Sequence, residues 1–226
     1  FHESGTLVSG IIGGLYSSTA TISVLARKSR KASEPEATEY VAAMLLAVSM
    51  MFLRFMILIL IFSREIFMSI YPYLLIMSVV AAVVAWFIHS RQKRPEGQPA
   101  ETEEDDSSNP LEFKVALIFA VLFVIFTFLT HYTLVYAGTG GLNLLSFVSG
   151  FSDITPFILN LLQNIGGVAA VVITACSMQA IISNILVNMC YALFFAGKGS
   201  RLRPWILGGF GVVIACNLVL LLFFYI

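Results

Sequence analysis

The sequence predicts an all-α polytopic membrane protein made of two related halves, each carrying a Gly/Ser/Thr-rich broken or re-entrant helix. Three observations carry this prediction. Hydrophobic residues make up 58% of the 226 and charged residues 12%, a balance foreign to soluble domains. Several apolar runs reach the roughly 20 residues that a helix needs to cross about 30 Å of hydrocarbon. A polar interruption of such a run then occurs twice, as Gly14-Leu15-Tyr16-Ser17-Ser18-Thr19-Ala20-Thr21 and as Gly150-Phe151-Ser152-Asp153-Ile154-Thr155-Pro156. An offset of 136 places Gly14 on Gly150, Ser17 on Asp153, Thr19 on Thr155, Ile22 on Ile158 and Leu25 on Leu161.

The apolar segments run over about 6–26, 39–62, 66–89, 113–137, 143–163, 166–196 and 204–226. Residues 1–90 form the first membrane repeat and 113–226 the second. Between them, 91–112 is rich in Pro, Glu, Asp and Ser and contains Glu103-Glu104-Asp105-Asp106. Such a stretch cannot bury enough apolar area to order itself and reads as an acidic solvated linker. In the second repeat a full helix, 113–137, ends 13 residues before Gly150. Thirteen residues before Gly14 is position 1, so the first repeat is expected to be N-terminally truncated, with a further helix upstream of Phe1.

Lys and Arg in short loops set orientation. Arg27, Lys28, Arg30 and Lys31 form one cluster, Arg91, Lys93 and Arg94 a second, and Lys198, Arg201 and Arg203 a third. All three belong in the cytoplasm, and so does the linker. The third cluster meets that demand only if 143–163 dips into the membrane and returns to the side it came from. The halves are then inverted relative to one another, as in many transporters. Fully crossing broken helices in parallel repeats are the alternative.

The polar groups inside apolar segments are the candidate site. Ser17, Ser18, Thr19 and Thr21 stand where a second half-helix begins, able to cap free N–H groups, to pack helices closely or to coordinate a solute. Asp153 and Thr155 hold the matching place, and Asp153 is the acid lodged within an apolar segment. A carboxylate at mid-depth costs about 2.5 kcal/mol or more unless it is paired, protonated or facing water. Arg54 is the base deep in 39–62; it pairs with Asp153, faces an anionic solute group or snorkels to the surface. Thr174, Ser177, Asn184 and Asn188 fall on one stripe of 166–196, serving interhelical hydrogen bonds or a solute path. His131, among Thr130, Tyr132 and Tyr136, reads as an interfacial belt residue or a proton relay. Cys176, Cys190 and Cys216 lie in apolar runs without metal-type spacing and read as buried small residues. The sequence carries no phosphate-binding loop, zincin motif or nucleophile elbow, and an enzyme is not expected.

The string Gly13-Gly14-Leu15-Tyr16-Ser17-Ser18-Thr19-Ala20-Thr21, continuing to Leu25-Ala26-Arg27-Lys28-Ser29-Arg30, resembles an uncharacterised bacterial membrane family, domain of unknown function 4010. Gly150-Phe151-Ser152-Asp153-Ile154 and Ser183-Asn184-Ile185-Leu186-Val187-Asn188 are similar to its second and third signatures. The family tends to carry a basic residue where Asn188 stands. Its domain often follows an MgtC/SapB-type segment, so the resemblance implies a bacterial inner-membrane location, a missing MgtC-like N-terminal region and a context of magnesium or acid adaptation.

Two functions follow as expectations. In the first, the chain is a transporter or channel for a small ion or polar solute. Its site forms where the two motifs meet at mid-membrane, with Ser17, Thr19, Asp153 and Thr155 as ligands and Asn184, Asn188 and Arg54 beside them. In the second, it is a non-transporting module that binds or regulates another membrane protein. Neither reading calls for a cofactor or a nucleic acid. The partners are the lipid bilayer and the solute, and a homodimer is compatible with both.

Overall fold

Helices account for every regular element of the computed structural model among its described residues, which are 5–30, 32, 34–91, 111–151, 153–163, 168–197 and 202–225. They are α1 (Gly5–Ser29), α2 (Glu34–Phe62), α3 (Arg64–Ser90), α4 (Leu111–Ser149), α5 (Thr155–Gln163), α6 (Ala170–Ala196) and α7 (Arg203–Tyr225). Five of these, α1, α2, α3, α6 and α7, have the length and apolar content to cross a membrane. The linker residues 92–110 and the bases Lys31, Lys93, Arg94, Lys198 and Arg201 lie outside the described residues. The apolar segments of the sequence match these helices closely. The exception is α4, which takes in both 113–137 and the first arm of 143–163.

The chain divides into two compact units, residues 1–100 with 185–226, and residues 101–184. The cut falls inside α6.

In the first unit α2 and α3 are joined at Ser63, whose hydroxyl caps α3 by accepting from the Ile66 N–H at 3.4 Å. Midway along the pair, the buried hydroxyls of Ser49 and Ser78 lie 3.0 Å apart, and Ser49 also donates to the Ser78 carbonyl at 2.9 Å. Such bonds suit helices in lipid, where polar side chains find partners across the interface. α7 packs antiparallel to α3, since Tyr73 meets Asn217 near one end and Ile88 lies against Gly209 near the other. The Tyr73 hydroxyl donates to Asn217 Oδ1, and Asn217 Nδ2 donates to the Val213 carbonyl at 2.7 Å. Both side chains are buried. Tyr73→Phe is therefore expected to leave a buried amide oxygen without its donor, at about 1–3 kcal/mol. The readout is a lowered thermal midpoint of the purified protein, and an unchanged midpoint would contradict this account.

The same unit brings several of its bases to one end. The Arg27 guanidinium lies over the Phe195 ring at 4.3 Å, and Gly197, at φ +91°, lies against Arg30. The C-terminal ends of α1 and α6 are thus neighbours, and the antiparallel α3–α7 pair brings Arg91 and Arg203 to that end too.

In the second unit α4 reverses at Gly138, whose φ of 58° and ψ of −150° belong to a region that glycine alone enters readily. Gly141 consequently backs onto Thr133 and Ala137. α5 packs on α4 through the Phe126 and Phe157 rings, 5.6 Å apart, and through Asn160 Nδ2 donating to Thr127 Oγ1 at 2.6 Å. His131 is exposed beside Tyr132, which stacks on Tyr136, the company an interfacial belt residue keeps.

Candidate functional site

Each unit contains one of the two matching breaks, and they are built in different ways from matching parts. In α1 the break is Ser17, extended at φ −154° and ψ 103° between helical arms 5–16 and 18–29. Across it, a Cβ on Gly13 would stand only 2.5 Å from Thr21 Oγ1. A straight helix holds residues eight apart about 12 Å from one another, so the arms of α1 fold back on themselves. Each arm of about twelve residues measures about 18 Å. Although α1 has the length of a membrane span, it folds back as a hairpin with Ser17 at its tip.

The residues at that tip have distinct tasks. Ser17 caps the second arm, its Oγ accepting from the Ala20 N–H at 3.4 Å, and Thr21 Oγ1 donates to the Ser17 carbonyl at 2.8 Å. Thr19 offers its carbonyl to Ser23 Oγ at 2.9 Å, while Ser18 is buried. Arg54 reaches in from α2, and its Nη1 donates to the Tyr16 carbonyl at 2.6 Å. That carbonyl ends the first arm, at the negative pole of its helix dipole. Set in sequence against Asp153, an anionic solute or the membrane surface, Arg54 has a backbone acceptor in the structure.

The glycines do not form the turn; Gly14 is helical and seats the hairpin on α2. A Cβ there would lie 2.5 Å from Ala47 Cα, and one on Gly10 would lie 2.4 Å from the Ala43 carbonyl oxygen. Gly10, Gly14 and Ser18 recur every fourth residue and are all buried, the small-residue face that lets membrane helices approach at backbone distance.

In the second unit the arm 140–149 runs along α6. Cys176 Sγ donates to Asn143 Oδ1 at 3.4 Å, Ser146 Oγ to Gln179 Oε1 at 2.9 Å and Ser183 Oγ to the Phe147 carbonyl at 2.7 Å. At the break, Asn184 Nδ2 donates to the Gly150 carbonyl at 3.1 Å. Asp153 then starts the return arm: its Oδ1 accepts from the Thr155 N–H at 3.0 Å and from Thr155 Oγ1 at 2.7 Å. The Asp153 side chain is exposed, whereas Thr155 and the rest of α5 up to Leu162 are buried.

The offset of 136 therefore governs contacts as well as residues. Gly14 against Ala47 becomes Gly150 against Ser183, where a Cβ would stand 2.4 Å from the Ser183 side chain. Gly10 against Ala43 becomes Ser146 bonded to Gln179. The cap Ser17 becomes Asp153. The carbonyls that end each first arm are satisfied differently, by Arg54 in one unit and by Ser183 and Asn184 in the other. Of the α6 stripe, Asn184 thus has a hairpin carbonyl as partner, and Asn188 is wholly buried on the same helix. Sequence reasoning missed Asn143, Ser146 and Gln179 as hairpin-seating groups; their recurrence near the offset partners of Gly10 and Ala43 was the available signal.

The chain belongs to the family described as Domain of unknown function (DUF4010), whose model matches residues 1–196. It is also similar to an uncharacterized protein of Aquifex aeolicus (strain VF5), with 25% identity over 227 residues that cover 98% of this chain and 96% of that protein. No solved structure matches the chain.

Proposed function

We propose that this membrane-embedded helical protein is a transporter or channel for a small ion or polar solute, built from two inverted halves. The observation that carries the reading is Asp153, an exposed carboxylate at the tip of a hairpin. The arm leading to it, 140–149, is about 15 Å long, half the hydrocarbon thickness. Lipid at that depth charges about 2.5 kcal/mol or more for the ion. Broken backbone at membrane depth is tolerated where protein or a water-filled cavity surrounds it. Water meets both demands at once. Asp153 and Thr155 in one tip, and Ser17 and Thr19 in the other, supply oxygen ligands. In support of inversion, α3 and α7 correspond at the offset of 136 and pack antiparallel. The several bases at one end of the first unit support a cytoplasmic side there, in a bacterial inner membrane.

Cysteine accessibility tests the reading. In a background without Cys176, Cys190 and Cys216, Ser17→Cys and Asp153→Cys are each treated with a membrane-impermeant thiol reagent from either side. Labelling of the two positions from opposite sides is the expected result. If neither position reacts from either side, the tips are packing surfaces, and the alternative of a non-transporting module that binds or regulates another membrane protein takes over.

A further inference from the structure

The hairpin of α1 raises a question that its twin answers differently: what holds a tip whose backbone has been opened inside a membrane? An extended Ser17 takes the Tyr16 carbonyl out of helical pairing. In lipid an unsatisfied carbonyl is costly, and so is a guanidinium without a partner. Arg54 and Tyr16 partner one another, Nη1 to O at 2.6 Å. The positions of α2 that correspond to Ser183 and Asn184 are Ala47 and Val48, and neither has a side-chain donor. In the second unit two neutral donors from the adjoining turn hold the first arm. In the first unit that work has passed to one charged side chain, seven residues further along the helix from Ala47.

We infer that Arg54 is a positioning residue, a latch that keeps the first hairpin's tip closed on α2. Its guanidinium lies over the Phe55 ring, 5.2 Å from the centroid, so the head is guided from α2 while its target belongs to α1. The two arms hold together at Gly13 and Thr21, and the outer arm is seated on α2 at Gly10 and Gly14. Beyond Gly14, the Arg54–Tyr16 bond is a polar tie between tip and helix. Releasing it frees the last turn of the outer arm and the cap at Ser17 without unseating the glycines. The device concerns the hairpin alone and holds whether or not a solute is moved.

The test reads opening of the tip rather than flux. Ser18 is 3% exposed behind the tip, so in the cysteine-free background Ser18→Cys reports opening through its rate of reaction with a small aqueous thiol reagent. With Arg54 present the reaction is expected to be slow. Arg54→Ala and Arg54→Met are expected to speed it about tenfold or more, the scale of a lost hydrogen bond to a charged group. Arg54→Lys, which keeps a donor at that depth, restores slow labelling, and free guanidinium ion added to Arg54→Ala slows it again. Equal rates in the parent and Arg54→Met would overturn the latch, because Met replaces the stem's packing without the donor. So would fast labelling of Arg54→Ala that guanidinium leaves unchanged. Absence of transport by the parent protein, with these rates as expected, would count against the transporter reading and leave the latch standing.

Discussion

Gly14→Ala is expected to unseat the first hairpin and cost about 3 kcal/mol, the upper end of what overpacking a tight interface exacts. The added methyl would sit 2.5 Å from Ala47 Cα and 2.8 Å from its carbonyl oxygen. Both are backbone atoms of a helix that α3 holds from behind, so no rotamer change gives relief. For the same reason Ala47→Gly is not expected to rescue it. Gly150→Ala meets Ser183 Cβ and Oγ at 2.4 Å and the Asn184 nitrogen at 2.7 Å. There the side-chain share of the clash can be removed by Ser183→Gly, so that pair recovers in part. Gly208→Ala is the control: nothing lies within 4 Å of its added carbon, and replacing a helical glycine gains up to about 1 kcal/mol. Thermal midpoints of the purified variants rank these outcomes. A Gly14→Ala protein as stable as the parent would mean that the hairpin does not sit on α2 at backbone distance.

These contrasts also show what the residues disclosed before any coordinates. The duplicated interruption was legible because the offset of 136 kept both composition and spacing, and that alone predicted two broken helices. Their location within apolar runs gave the helices nearly to their ends, since lipid forces backbone groups to pair within the segment. The start of the second arm at Ser18 was legible, but the part played by the glycines was not. A Gly13-Gly14 pair reads as a loosened backbone, yet both glycines are helical and serve close approach, one to Ala47 and one to Thr21. The sign of this was present in the four-residue spacing of Gly10, Gly14 and Ser18 against Ala43 and Ala47, a pattern tied to packing rather than turning. Arg54 was recognisable as costly, but its partner is a main-chain carbonyl, which has no signature in sequence. Asn184 is a similar case. Helical periodicity assigns it a face, and only the fold shows that a hairpin carbonyl waits there.

Asp153→Asn is expected to leave the second hairpin folded and to abolish transport of the solute in reconstituted vesicles. The substitution separates two duties of one side chain. As a cap, Asp153 uses Oδ1 to accept from the Thr155 N–H and hydroxyl. Asparagine keeps an oxygen in that place and is as good a residue at such positions, so the return arm loses little. As a charge, the carboxylate has no substitute in asparagine. A flux that depends on an anionic ligand or a proton carrier at the tip should therefore fall at least tenfold, about 1.4 kcal/mol in the barrier or more. Asp153→Ala separates the duties from the other side, losing the charge together with about 1 kcal/mol of capping. Stability adds an independent reading of where the side chain looks. If Asp153 faced lipid, neutralising it would raise stability by an amount comparable to the burial cost of the charge, about 2.5 kcal/mol. If it faces water, as proposed, the thermal midpoint should hardly move. Unchanged flux with unchanged stability would reduce Asp153 to a helix cap and remove the residue on which the transporter reading rests.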